Sequence, residues 1–307
     1  MSTLPVIAAV DGSDDSLRAL EWALTAARLR EAPLRVVHVR QYASWAQPDV
    51  TVLVAGPPDP DEDPVLDDVR ALLEGRAERP VMEYLSLAGA PAAVLPELGG
   101  SAQLMVLGSR GRGGFASLLL GSSGVAAARD ADCPVVVVPR PGRQVHEGPP
   151  VAPGPRVVVG LHIDSPAEAS LAFAFAEADR RGARLQVIAA YPWPPARIWT
   201  TPGELVPPGD DEDAVEGETR TLAASLLAAH RERHPDVQVD LSTPPGDAAG
   251  HLVAASKEAE LVVVGRHRRR LFSPARMIGS VTQAVLLHAA SPIAVIPPAT
   301  EPARTDG

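Results

Sequence analysis

The chain has 307 residues, a length suited to two domains of ordinary size. Hydrophobic residues make up 46% and aromatic residues only 4%, so any core must be packed from Ala, Val and Leu. A net charge of −10 argues against a general binder of nucleic acid or of an anionic membrane, and a single cysteine, Cys133, excludes an internal disulfide framework and a cysteine-cluster metal site. Neither a signal peptide nor an apolar run of membrane-spanning length is expected, which suits a reducing, cytoplasmic setting.

Leu4 to Val10 is an apolar run that predicts a strand ending at Asp11-Gly12-Ser13. Ser13 or Asp14 can cap the next helix, which carries Leu17, Leu20, Leu24 and Ala27 at helical spacing up to about Arg30. Leu34 to Val39 predicts a second strand. Gln41 to Asp63 is rich in Pro and Asp, has no clear period, and is long for a loop. The spacing then predicts a helix over Val65 to Arg79, a strand over Val81 to Leu87 and a helix after Gly89-Ala90-Pro91. A strand over Leu104 to Leu107, a Gly-rich loop, a helix from Gly121 and a last strand over Pro134 to Val138 follow. Cys133, before that strand, is expected to be a small buried residue. Strands alternating with helices imply a parallel sheet covered on both faces.

Arg140 to Pro155 is Pro- and Gly-rich and marks a linker. The pattern then repeats. Leu185-Gln186-Val187-Ile188 parallels Leu34-Arg35-Val36-Val37 at an offset of 151. The offset becomes 157 at Gly89 and Gly246 and at Gly108 and Gly265, and 158 at Gly121 and Gly279. It changes only in loop segments, as a duplicated domain requires. The expected organisation is a first domain over 1–140, a linker over 141–154, a second domain over 155–298 and a tail over 299–307.

The chemistry concentrates at Gly108-Ser109-Arg110-Gly111-Arg112-Gly113-Gly114-Phe115 and the following Gly121-Ser122-Ser123. Glycines let backbone N–H groups approach a ligand closely, and a helix start adds unpaired N–H groups and partial positive charge. Together they suit an anion, most often phosphate; a plain surface loop with a serine cap is the alternative. In an open α/β sheet, ligands bind beyond the carboxyl ends of the strands at the switch point of strand order. If the first and fourth strands are neighbours, Asp11 faces the Gly-rich loop. A carboxylate repels phosphate, so Asp11 belongs at the nucleoside end, unless it is only a turn or capping residue. The common NTPase loop and the kinase lysine have no counterpart, since the one lysine, Lys257, lies on a predicted helix without such a loop before it. The eight histidines show no metal spacing. His38 is expected at the core or the rim, and the acidic clusters Asp59 to Asp63 and Asp210 to Asp213 are expected to be solvated loops.

Gly108-x2-Gly111-x9-Gly121-Ser122, with Val-Asp-Gly-Ser at Val10 to Ser13, resembles the universal stress protein family, and nearly the whole chain resembles its tandem type. The resemblance implies two tandem, doubly wound, five-stranded parallel sheets with helices on both faces, an adenine nucleotide alpha hydrolase-like fold. It implies pairing of the two domains through the last strands, Val135 to Val138 and Ile293 to Ile296, and leaves a homodimer open. It matches Asp11 and the backbone near Val39 to adenosine, and Gly108, Gly111, Arg112, Gly121, Ser122 and Ser123 to ribose and phosphates. The implied ligand is ATP, alone or with magnesium, in a stress-response binding protein. A slow ATP-hydrolysing enzyme and a ligand-free interaction module are the alternatives. The second copy departs from the pattern: His162 stands for Asp11, Ile163 for Gly12 and Arg268 for Gly111. One intact nucleotide site, in the first domain, is therefore expected.

Overall fold

The computed structural model describes residues 4–41, 62–111, 120–145, 154–193, 212–266 and 278–299. The chain forms two compact units, Met1–Val138 and Pro139–Gly307.

In the first unit the strands are β1 (Val6–Val10), β2 (Leu34–Arg40), β3 (Met82–Ala88), β4 (Leu104–Gly108) and β5 (Val135–Val138). Between them run α1 (Asp14–Leu29), α2 (Pro64–Leu73), α3 (Pro91–Glu97) and α4 (Ser122–Asp130). The strand order is β3-β2-β1-β4-β5, and each neighbouring pair is parallel. Successive strand residues face opposite sides, yet Val6, Ile7 and Ala8 and all four valines of β5 are buried. Both faces of the sheet are therefore covered, which is why these strands are continuous apolar runs. Within this unit α1 packs on β1 and β4, and α3 packs on α4. Because β1 pairs with both β2 and β4, the order reverses at β1.

Ser13 caps α1 by accepting the Ser16 N–H at 3.3 Å, and Asp14 and Asp15 complement the helix dipole in its first turn. Helix α2 is shorter than its pattern suggests. It stops at Leu73 because Gly75 takes a left-handed φ of 76°. Its N-cap is Asp63, whose carboxylate accepts the Leu66 N–H at 3.2 Å. Asp63 is thus a buried cap rather than part of a solvated loop; Asp59 to Asp61 lie outside the described residues.

The second unit repeats the plan with β6 (Arg156–Gly160), α5 (Glu168–Arg181), β7 (Arg184–Ile188), α6 (Glu212–Arg233), β8 (Val239–Ser242), α7 (Ala248–Ala255), β9 (Leu261–Gly265), α8 (Ser280–His288) and β10 (Ile293–Ile296). Its strand order is β8-β7-β6-β9-β10, again parallel throughout. Glu212 and Asp213 form the first turn of α6, where acidic side chains complement the helix dipole; Asp210 and Asp211 lie outside the described residues. Cys133 is buried, as its setting before an apolar strand suggests. Among the described residues no helix is long and apolar enough to cross a membrane.

Burial pushes the Asp63 carboxyl up, but hydrogen bonds from Ser86, His38 and the Leu66 N–H, with the charge of His38, outweigh it and hold the group below the usual carboxylate range. Its contribution to stability is complete above the unfolded-chain value of about 3.9 and is lost as pH falls through the lower folded value. Replacing Asp63 by Ala is expected to cost about 1–3 kcal/mol at pH 7. In urea titrations across pH, the gap between wild type and variant should narrow below about pH 4. A gap unchanged down to pH 2 would contradict this role of the carboxylate.

Candidate functional site

Parallel pairing of β1 with β4 sets the ends of these strands side by side. The turn after β1 passes through Gly12 at φ 75°, a conformation that favours glycine. It folds Asp11 back so that Oδ1 accepts the Ser13 N–H at 3.0 Å and the Ser13 hydroxyl at 2.6 Å. Asp11 is therefore a turn residue, and its other oxygen, Oδ2, lies towards Gly111: a Cβ added at Gly111 would strike it. The sequence pattern reserves Gly111 for close approach of phosphates. In the structure the atom it makes room for is that of Asp11.

Gly108 ends β4 against the start of α1. A Cβ there would sit 2.7 Å from the backbone carbon and oxygen of Asp15. The next residue, Ser109, is buried and its hydroxyl lies 3.4 Å from Asp15 Oδ2; Arg18 also pairs with that carboxylate. The Gly121 N–H donates to the Ser109 carbonyl at 2.8 Å, which draws the start of α4 onto the start of the Gly-rich loop. Gly121 is the N-cap of α4, and no side chain caps that helix. The N–H groups of its first turn have no intrahelical acceptor and suit an anion. A Cβ at Gly121 would meet only ordinary contacts, at 3.6 and 3.7 Å, so the chain itself does not demand glycine there.

These elements border one cavity of about 640 Å³, within the usual size for small-molecule sites. Asp11, Val39, Gly108, Gly111, Gly121, Ser122 and Ser123 all line it. Arg112 lies outside the described residues. The sequence reading missed other lining residues: His38 and Gln41 on the polar side, and Val65, Pro91 and Leu95 as apolar wall. The wall residues come from α2 and α3, and no local motif announces them. Among the described residues no group of three His, Cys, Asp or Glu is gathered to hold a metal ion.

The corresponding place in the second unit differs. Ile163 stands for Gly12 and does not take a positive φ, as expected of a β-branched residue. Pro166 disfavours a helical Ser165. Helix α5 accordingly begins only at Glu168, without a side-chain cap, whereas α1 begins at Asp14. The cavity here is about 290 Å³, and Leu161, Pro166, Leu252 and Ile296 supply much of its apolar wall. His162 lines it; Arg268 lies outside the described residues.

The universal stress protein family matches residues 4–139 and 155–297. The chain belongs to that family. A universal stress protein of Mycobacterium tuberculosis is 35% identical over 298 residues, covering 94% of this chain and 96% of the relative. One of Mycolicibacterium smegmatis is 32% identical over 310 residues, covering 95% and 97%. In fold, the chain is similar to a universal stress protein from Archaeoglobus fulgidus, with a TM-score of 0.61 at 17% identity over 97% of this chain and 99% of the other. A Pseudomonas aeruginosa protein described as functionally unknown gives a TM-score of 0.64 at 15% identity, covering 97% and 93%. Universal stress protein segments thus cover both units, and the unlike cavities are a difference between two copies of one domain.

Gly108→Ala is expected to cost about 1–3 kcal/mol, because backbone of α1 must move to admit the methyl group. Gly100→Ala, where a Cβ meets nothing within 4 Å, should stay within about 0.5 kcal/mol of wild type. Chemical denaturation of both variants checks this; equal stabilities would contradict the packing of β4 against α1.

Proposed function

We propose that the first unit binds an adenine nucleotide, ATP foremost, and that the chain acts as a nucleotide-dependent binding protein in a cytoplasmic stress response. The observation that carries this reading is the convergence of Asp11, Val39, Gly108, Gly111, Gly121, Ser122 and Ser123 on one cavity. The uncapped start of α4 offers N–H donors to phosphates. Asp11, fixed by Ser13, presents a carboxylate that suits a ribose diol rather than a phosphate. Magnesium would arrive on the phosphates, keeping most of its waters. Arg112 would join the phosphate end.

The domains are proposed to span 1–140 and 155–298, with a linker over 141–154. Pairing of the two through Val135 to Val138 and Ile293 to Ile296 belongs to the same proposal. The second unit is proposed to bind no nucleotide. Ile163 and Pro166 remove the turn and first helical turn that fix the acidic residue in the first unit, and the smaller cavity suits that reading.

Calorimetric titration of the full chain with ATP should give one site per chain. Asp11→Ala should weaken binding about 10- to 100-fold, the usual worth of a hydrogen bond to a charged group. His162→Ala should change it by less than about twofold. Two equivalent sites, or undiminished affinity in Asp11→Ala, would overturn the assignment.

A further inference from the structure

A histidine–carboxylate pair borders the cavity. His38 lies on β2, next to Val39, and lines the cavity. Its Nδ1 is 2.8 and 2.9 Å from the two carboxylate oxygens of Asp63. Ser86, opposite His38 in the β2–β3 register, donates to Asp63 Oδ2 at 2.6 Å, and the Leu66 N–H donates to Oδ1 at 3.2 Å. Only 4% of the Asp63 side chain is exposed. An ionised carboxylate can only accept, so the hydrogen between it and the ring belongs to Nδ1. In the neutral imidazole Nε2 is then a hydrogen-bond acceptor. Nε2 has no hydrogen-bond partner among the described residues.

Strand order gives this acceptor its place along a bound nucleotide. The Gly-rich loop leaves β4, Asp11 leaves β1 and His38 lies on β2, in the order β4, β1, β2. Neighbouring strands stand about 4.8 Å apart, so β2 lies about 10 Å from the phosphate end. With phosphates at α4 and ribose at Asp11, what reaches β2 is the base.

We propose that His38 is a specificity-determining residue of this site: in the neutral ring, whose Nδ1 hydrogen Asp63 holds, Nε2 takes a hydrogen bond from an exocyclic amine of the base and so selects a 6-amino over a 6-oxo purine. A 6-oxo purine presents a carbonyl oxygen there, and two acceptors face each other without a hydrogen. Asp63 is the positioning residue; it acts through the ring. The inference rests on the nucleotide reading above.

The test is calorimetric titration of the full chain at pH 8 with ATP and with inosine triphosphate, which differs at the 6-position. Wild type should prefer ATP by about tenfold or more, the usual cost of a mismatched buried polar group. His38→Ala should lower that preference about tenfold. Asp63→Asn, which keeps a capping oxygen but not the charge that fixes the ring proton, should also lower it. Thermal melts of both variants show whether the fold survives, and the ratio of the two affinities reports on the base independently of overall stability. A wild type that does not discriminate, or a ratio within about twofold of wild type in either folded variant, overturns the inference while leaving nucleotide binding intact. Binding of neither triphosphate by wild type overturns the nucleotide reading and this inference with it.

Discussion

Parallel pairing of β1 with β4 puts two chain reversals side by side, one through Asp11-Gly12-Ser13 and one through Gly108 to Gly111. Much of the first cavity depends on how these reversals fit. Gly108 can end β4 only where no Cβ meets the Asp15 backbone, and Gly111 can follow only where none meets Asp11. The tie from the Gly121 N–H to the Ser109 carbonyl then brings α4 to the same crevice. The glycines thus serve the chain's contacts with itself before any ligand. Their spacing is a packing constraint as much as a binding motif.

The same constraint explains how two copies of one domain diverge without losing the fold. Strand register and buried valines are kept in both units, because the sheet is held by apolar surface and ladder hydrogen bonds. The turn after the first strand depends on a few backbone angles. One glycine at φ 75° permits the tight turn in the first unit, and Ile163 removes it in the second. The helix that follows then starts late, and the cavity beneath it is lined by residues such as Pro166 and Ala167. Fold and site are separable because they rest on different numbers of contacts.

Much of this was legible in the sequence. The strands are apolar runs bounded by Gly, Pro and Asp, and their repetition at nearly fixed offsets exposes the duplication. The spacing of Gly108, Gly111, Gly121 and Ser122 is local, so a linear reading can find it. What stayed hidden is non-local. Asp63 sits at the end of a Pro- and Asp-rich stretch and reads as solvated, yet it is buried against a histidine 25 positions earlier and a serine 23 positions later. His38 carries no spacing signal, because its partner comes from another element. The reason for glycine at position 108 was also invisible, since it lies in the path of a helix many residues upstream.

The central claim is that one unit holds the nucleotide and the other does not. Hydrogen–deuterium exchange of the full chain with and without ATP addresses it most directly. The account predicts slower exchange on adding ATP at the amides of residues 108–111 and 121–125, with no change at 265–266 and 279–283. Equal protection of both sets, or protection of neither, would contradict it.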